Sequence, residues 1–144
     1  MADSNHLRIG FFGTSDFALE TLTALYEHPI DIKFVVSQNP KPSGRGQKVN
    51  FSPVYKFAKF HNLNTFTPEN INNLEFINKI KNLKINFLII VAYVKIINER
   101  ILKRPKFFSL NIHASILPKW RGAAPIQRSI LNGDNETGIS IIVV

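Results

Sequence analysis

The sequence has 144 residues, which is long enough for about one domain with a buried core. Its 44% hydrophobic and 19% charged residues are typical of a globular protein and exclude a disordered chain. The formal net charge of +8 favours a polyanionic partner, and the lack of cysteine excludes disulfides and thiolate metal sites.

The sequence does not predict export, a membrane span or a metal site. Residues 1–6 have neither the positive start nor the apolar core of a secretory signal. The longest apolar run, residues 87–94, is far shorter than the roughly twenty residues that a bilayer requires, and it predicts a buried strand. The four histidines lack the spacing of a zinc set. We expect a cytoplasmic protein with no membrane partner, and a monomer is favoured.

The first forty residues predict a β-α-β unit. A strand at residues 7–13 is followed by Thr14 or Ser15, either of which can cap a helix that begins near Asp16. A second strand at residues 32–37 implies a right-handed crossover and a parallel pair. The first turn lacks the glycine triplet that lets a backbone approach a pyrophosphate, so a nicotinamide dinucleotide is not expected.

Residues 38–52 contain two prolines and two glycines, which predict a loop without regular structure. Lys41, Arg45 and Lys48 place three positive charges on this segment. One interpretation is a solvated surface loop, and the other is an arm that grips phosphates. The residues alone leave both interpretations open.

The rest of the chain continues the alternation of helices and strands. The predicted elements are a helix at 53–60, a short edge strand at 64–66, a helix from 74 to about 83, a strand at 86–92, a short helix at 97–102, a strand from 109, a helix at 126–132 and a strand from 139. This pattern predicts an α/β fold, a Rossmann-like and mostly parallel sheet with helices on both faces, with no second domain boundary.

The most informative stretch begins as an apolar strand at Ser109 and breaks at Pro118 into a basic, aromatic loop. Because side chains alternate along a strand, Asn111 and His113 lie on the same face. Catalysis of attack on a carbonyl or formyl carbon requires at least two groups: a donor to the developing oxyanion and a group that moves a proton. An amide beside an imidazole supplies both. On spacing alone, a structural histidine is the more common interpretation of such a pair.

The surrounding residues resemble a known signature. Residues 111–118 (NIHASILP) and 120–127 (WRGAAPIQ) resemble the signature of formyltransferases that use 10-formyltetrahydrofolate, in particular the methionyl-tRNA formyltransferase family. The resemblance implies that Asn111 and His113 are the catalytic pair. It implies formyl transfer from 10-formyltetrahydrofolate, as co-substrate, to the amino group of methionyl-initiator-tRNA. The substrate-binding residues that it implies are Ser115, Leu117, Pro118 and Arg121.

The resemblance also covers the basic segment at 38–52. That segment is similar to a family insertion that reaches the acceptor arm of the initiator tRNA. This implies that Lys41, Arg45 and Lys48 form a tRNA-binding loop, which a formyltransferase for small substrates would not need.

The sequence departs from the family pattern in three places, of which the mildest is Ser15, where proline is common at the helix start. Val94 stands where the family usually has glycine, and a β-branched residue disfavours positive φ, so we expect a different turn or an altered pocket. The family's catalytic aspartate and smaller carboxy-terminal domain both follow the strand that ends this sequence at Val144. Residues 1–144 are therefore interpreted as the amino-terminal catalytic domain, and weak or no turnover is expected from this chain alone.

Two other functions remain open. One is formyl transfer to a small amine such as an amino sugar or a glycinamide nucleotide, which keeps Asn111 and His113 but does not depend on the basic segment. The other is a non-catalytic truncated fragment that binds folate or RNA. A serine hydrolase is not supported, because Ser115 lacks the glycines of a nucleophile elbow.

Overall fold

The computed structural model describes residues 6–144. Its strands are β1 (Leu7–Gly13), β2 (Ile30–Val36), β3 (Lys41–Ser43), β4 (Lys48–Asn50), β5 (Thr65–Phe66), β6 (Phe87–Val91), β7 (Phe108–His113) and β8 (Ser140–Val143). Its helices are α1 (Asp16–Tyr26), α2 (Pro53–Phe60), α3 (Leu74–Lys81), α4 (Glu99–Leu102) and α5 (Pro125–Leu131).

Six strands form one sheet in the order β5-β2-β1-β6-β7-β8. All its neighbours pair in parallel except β7 and β8, which are antiparallel. The predicted Rossmann-like, mostly parallel sheet is therefore confirmed, as is the position of β5 at an edge. No helix among residues 6–144 is long and apolar enough to cross a membrane.

Each face of the sheet has its own hydrophobic core. On one face, Phe12 of β1 packs with residues of α3 and α4 such as Phe76 and Ile101. On the other face, Phe11 of β1 packs with residues of α1 and α2 such as Leu22. Burial on both faces explains why β1 and β6 read as continuous apolar runs. The prediction of helices on both faces is confirmed.

The cores do not cover the whole sheet. On the α1 and α2 face, Ile141 and Val143 of β8 are 66% and 60% exposed. They pair with Ile112 and Leu110 of β7, which lie at the margin of that core. The β8 edge of the sheet thus carries an exposed apolar strip.

Helix starts follow the predicted capping logic. Ser15 accepts a hydrogen bond from the amide of Ala18 at 3.3 Å and begins α1, which confirms one of the two predicted caps. Ser52 caps α2 in the same way, with Pro53 in the first turn as predicted.

The segment at 38–52 differs from its prediction. We expected no regular structure, but β3 and β4 form an antiparallel two-stranded hairpin. Proline is compatible with a two-stranded ribbon because each strand there has an unpaired edge. Gly44 and Gly46 lie in the connection with positive φ values of 76° and 88°, which suits a tight reversal. The expectation of irregular structure was therefore wrong, and we call residues 41–50 the basic hairpin.

The turn after β6 bears on the expectation for Val94. The residue with positive φ is Ala92, at 47°, and Val94 is not among the positive-φ residues of the described chain. Val94 instead projects outward with 78% exposure. The β-branched residue at 94 therefore needs no left-handed backbone, and the expectation of a different turn or an altered pocket stays a prediction.

The buried face of α1 gives a stability prediction. Leu22 is 0% exposed, so Leu22→Ala removes packed methyl groups and leaves a cavity, which typically costs about 2–5 kcal/mol. Leu74 is a matched control because it is 61% exposed, and Leu74→Ala should change stability by less than about 0.5 kcal/mol. Urea denaturation followed by circular dichroism measures both, and equal losses would contradict the packing described here.

Candidate active site

Strand β7 carries the two residues singled out by the sequence. Asn111 pairs in register with Ile90 of β6, which belongs to the core on the α3 and α4 face. His113 is two residues further on and shares that face by strand alternation. Both side chains are half-buried. Within residues 6–144 no hydrogen bond to the Asn111 carboxamide is found, so its donors are available to a ligand.

The ring of His113 is held by the loop that follows its own strand. Its Nε2 lies 2.8 Å from the main-chain oxygen of Trp120. A carbonyl oxygen can only accept, so Nε2 must be the donor and carries a hydrogen. In the neutral ring this leaves the lone pair on Nδ1, which is therefore the atom available to accept a proton.

Residues 114–124, which we call the signature loop, have an unusual backbone. Trp120, Gly122 and Ala124 all have positive φ, at 58°, 85° and 55°. Such conformations are unfavourable for residues other than glycine and persist only when surrounding contacts impose them. The peptide bond between Leu117 and Pro118 is cis.

One set of contacts ties the signature loop to β8. The Ser140 hydroxyl donates to the main-chain oxygen of Ser115 at 2.7 Å and accepts from the amide of Leu117 at 3.0 Å. Ser140 therefore bridges the first turn of the loop and the start of β8.

A second set of contacts converges on Asp134. Its carboxylate accepts hydrogen bonds from Lys119 Nζ at 2.8 Å, Trp120 Nε1 at 2.6 Å and Asn132 Nδ2 at 2.6 Å. The side chain is only 7% exposed. The hydrogen bonds from Lys119, Asn132 and Trp120 lower the pKa of Asp134 to about 2, so it is a carboxylate near neutral pH.

The structure spreads the predicted substrate-binding residues over different environments. Ser115 is fully buried, and its hydroxyl has no partner among the described residues. Leu117 is half-buried, whereas Pro118 and Arg121 are exposed. Burial of Ser115 favours a role in shaping the loop, and the substrate contacts of all four residues stay predictions.

Neither of two cavities formed within residues 6–144 is lined by Asn111 or His113. One, of about 360 Å³, lies between the first turn of α1 and the base of the basic hairpin, where Thr14, Ser15, Gln38 and Lys41 line it. The other, of about 450 Å³, lies between β5 and α3. A shared hollow at Asn111 and His113 therefore stays a prediction. Within residues 6–144, no cluster of three or more metal-ligating side chains occurs.

Sequence reasoning missed Asp134 and Ser140. Asp134 lies in the polar turn after α5, and Ser140 is the first residue of β8. Neither residue belongs to a motif whose spacing predicts its hydrogen-bond partners. Their roles depend on contacts across 14 or more residues, such as Trp120 to Asp134 and Leu117 to Ser140. Only the fold reveals such pairs.

Solved structures share the fold of this chain. The chain superposes on a phosphoribosylglycinamide formyltransferase from Bacillus halodurans with a TM-score of 0.70 and 19% identity, covering 95% of this chain and 71% of that one. For the enzyme from Anaplasma phagocytophilum the TM-score is 0.73 with 19% identity, covering 97% and 65%. At this identity the likeness shows the fold alone, which is the α/β fold of formyltransferases.

Sequence comparison then assigns the family. The family model described as formyl transferase matches residues 7–144, and the chain belongs to that family. It is 45% identical over 139 residues to a methionyl-tRNA formyltransferase of Sulfurihydrogenibium sp., covering 96% of this chain and 45% of that protein. Identity to the Dictyoglomus thermophilum enzyme of the same name is 46% over 137 residues, covering 94% and 44%. The chain thus spans slightly less than half the length of these relatives.

The contacts of Asp134 predict a pH dependence that Trp120 reports. The pKa of Asp134 falls from 3.8 to about 2 in the folded chain, so its contribution to stability is complete above the unfolded value and is lost as the pH falls through about 2. Trp120 is the sole tryptophan, so its fluorescence should stay constant to about pH 3 and change below it.

The control for this titration is Asp134→Asn, which cannot titrate and should lack the acid change in emission. Circular dichroism over the same range separates the local change from global acid unfolding. An emission change centred at the ordinary pKa of aspartate, or an unchanged titration in Asp134→Asn, would contradict the assignment.

Proposed function

We propose that this chain carries the catalytic pair for transfer of a formyl group from 10-formyltetrahydrofolate to the amino group of methionyl-initiator-tRNA. The observation that carries the proposal is the placement of Asn111 and His113 on one face of β7, with the His113 ring oriented by the Trp120 carbonyl. The relatives at about 45% identity, which bear the name methionyl-tRNA formyltransferase, support the same reaction.

The tetrahedral intermediate of this reaction carries a negative oxygen, which must be stabilised, and a positive nitrogen, which must lose a proton. A neutral α-amine attacks the formyl carbon, so one C–N bond forms while the carbon becomes tetrahedral with a negative oxygen and a positive nitrogen. Collapse then breaks the bond to the folate nitrogen, and the proton of the attacking nitrogen moves to that leaving nitrogen. A donor must serve the oxygen, and a base must move the proton.

Asn111 and His113 fit these two tasks. The free Asn111 carboxamide is a side-chain donor for the oxyanion, since no hydrogen bond within the described residues occupies it. His113 presents Nδ1 as the acceptor, because Nε2 is engaged by Trp120. The same ring, once protonated, can give the proton to the leaving nitrogen or stabilise the oxyanion. General acid–base help of this kind contributes about a hundred- to ten-thousandfold.

The basic hairpin supports RNA as the partner. Residues 32–68 contain no aspartate or glutamate. Lys33 in this range is paired with Asp31, and the other lysine and arginine residues are Lys41, Arg45, Lys48, Lys56 and Lys59. Lys41, Arg45 and Lys48 are exposed on the hairpin. Just beyond its second strand, Phe51 stacks on Tyr55 with ring centroids 4.3 Å apart. A positive surface beside aromatic rings is suited to a nucleic acid backbone and its bases.

Formyl transfer to a small amine is the less favoured alternative. The structural relatives that bear the name phosphoribosylglycinamide formyltransferase share only about 19% identity, which carries the fold but not the substrate. A small amine also gives no reason for an exposed basic hairpin.

The hairpin gives a test that separates these substrates. Replacing Lys41, Arg45 and Lys48 by alanine should weaken tRNA binding. It should also reduce the magnitude of the slope of log affinity against log salt concentration by up to about two to three units, because each lost phosphate contact contributes just under one unit. Binding titrations of initiator tRNA at several salt concentrations measure the slope.

A triple control removes the same charge elsewhere. Lys81, Lys84 and Lys106 are exposed, and the last two precede β6 and β7 at the amino edge of the sheet, opposite the hairpin. Their replacement by alanine should leave the salt slope almost unchanged. Equal slopes in both triple variants would favour the small-amine function.

The catalytic pair gives a second test. Asn111→Ala should lower kcat by about a hundred- to a thousandfold with a smaller effect on KM, because an oxyanion donor acts mainly in the transition state. The measurement is mass-shifted formyl transfer to methionyl-tRNA by the complete protein that contains this sequence. Asn135→Ala removes an exposed asparagine from the turn after α5 and should not change kcat.

The non-catalytic alternative predicts a different outcome. Calorimetry of this chain with a non-reactive folate analogue would then show binding, while the formyl transfer assay with the same chain would show no turnover. Turnover by this chain that Asn111→Ala lowers would exclude that alternative.

A further inference from the structure

The geometry points to Asp134 as a positioning residue that selects the tautomer of His113 through Trp120. The inference rests on the proposed function only in treating His113 as the catalytic base. The hydrogen bonds themselves belong to the chain whatever its substrate.

The first step is that Asp134 is fixed on several sides. Its main-chain amide donates to the oxygen of Ser129 at 3.1 Å, which ties it to the end of α5. Its carboxylate accepts from Asn132, two residues earlier, at 2.6 Å. With 7% of its side chain exposed, the carboxylate is largely covered and is held by several hydrogen bonds.

The second step is that this acceptor holds two consecutive residues of the signature loop. Lys119 Nζ and Trp120 Nε1 both donate to it, one to each oxygen. Lys119 also lies over the Trp120 ring, 5.8 Å from its centroid. A charged acceptor makes both hydrogen bonds stronger than neutral ones.

The third step is that Trp120 needs such an anchor. Its φ of 58° is a conformation that a bulky residue rarely adopts, so the backbone would relax if it were released. The indole bond to Asp134 fixes the side chain while the carbonyl accepts from His113. The two contacts together define the direction of the carbonyl.

The fourth step leads to the imidazole. A hydrogen bond between Nε2 and the Trp120 oxygen, now 2.8 Å, is lost once the two atoms separate to about 3.6 Å. Less than an ångström of loop movement would therefore release the ring. A free neutral imidazole populates both tautomers, and then Nδ1 would not reliably carry the lone pair. Asp134 thus acts on the base without touching it.

The test reads the tautomer directly. Long-range proton–nitrogen NMR spectra of the 15N-labelled chain, at an alkaline pH where histidine is neutral, separate a protonated ring nitrogen from one with a lone pair. His113→Gln assigns the signals. We expect the wild-type chain to have the hydrogen on Nε2, and Asp134→Asn to move the Nδ1 and Nε2 resonances towards each other as the tautomers mix.

Two controls separate positioning from charge and from stability. Glu136→Gln removes one negative charge from the same turn at an exposed position and should leave the tautomer unchanged. Leu22→Ala destabilises the core without contacting the loop and should also leave it unchanged. A tautomer shift in either control, equal to that of Asp134→Asn, would overturn the inference.

A second variant keeps the inference testable if Asp134→Asn does not fold. Trp120→Phe keeps an aromatic ring but removes the indole N–H that donates to Asp134, and it should shift the tautomer in the same direction. Hydrogen on Nδ1 in the wild type, or a wild-type tautomer in a folded Asp134→Asn or Trp120→Phe, would sink the inference. Neither outcome depends on formyl transfer, so a failure of the proposed function remains separately detectable.

Discussion

Parallel pairing of β2, β1, β6 and β7 is the constraint on which the rest of the structure depends. It brings the carboxyl ends of four strands to a single edge of the sheet. The segment leading into the basic hairpin leaves β2 there, the Ala92 turn leaves β6 there, and the signature loop leaves β7 there. The buried apolar strands therefore place an RNA-binding candidate and a catalytic candidate on the same side of the molecule, although they are about seventy residues apart in sequence.

The signature loop follows the rigid strand β7 but has an unfavourable backbone conformation of its own. Asn111 is paired with both β6 and β8, and His113 is paired with β8, so both residues have little freedom at their α carbons. The loop beyond them contains left-handed residues that only side-chain contacts can maintain. Ser140 forms hydrogen bonds with the start of the loop, and Asp134 accepts hydrogen bonds from its later part. Two residues distant in sequence therefore stabilise the conformation of the signature loop.

Features with a local cause could be predicted from the sequence. The Ser15 cap, the Pro53 helix start and the apolar strand β6 each follow from neighbouring residues, and the structure confirms them. The basic hairpin was missed because proline and glycine were taken to exclude strands, whereas a two-stranded ribbon tolerates both. Asp134 was missed because its importance arises from a contact with Trp120 that no periodicity encodes. The roles of Asn111 and His113 came from the resemblance and stay predictions.

The exposed apolar strip at β8 affects how the solubility of the chain depends on salt. Ile141 and Val143 lie on β8, the outer strand of the sheet that residues 6–144 form, and an exposed outer strand favours edge-to-edge pairing between molecules. At low ionic strength, repulsion between copies that each carry a charge of +8 opposes such pairing. Salt shortens the range of that repulsion to about 10 Å at 0.1 M. We therefore expect added salt to weaken this protection and to promote aggregation of the chain.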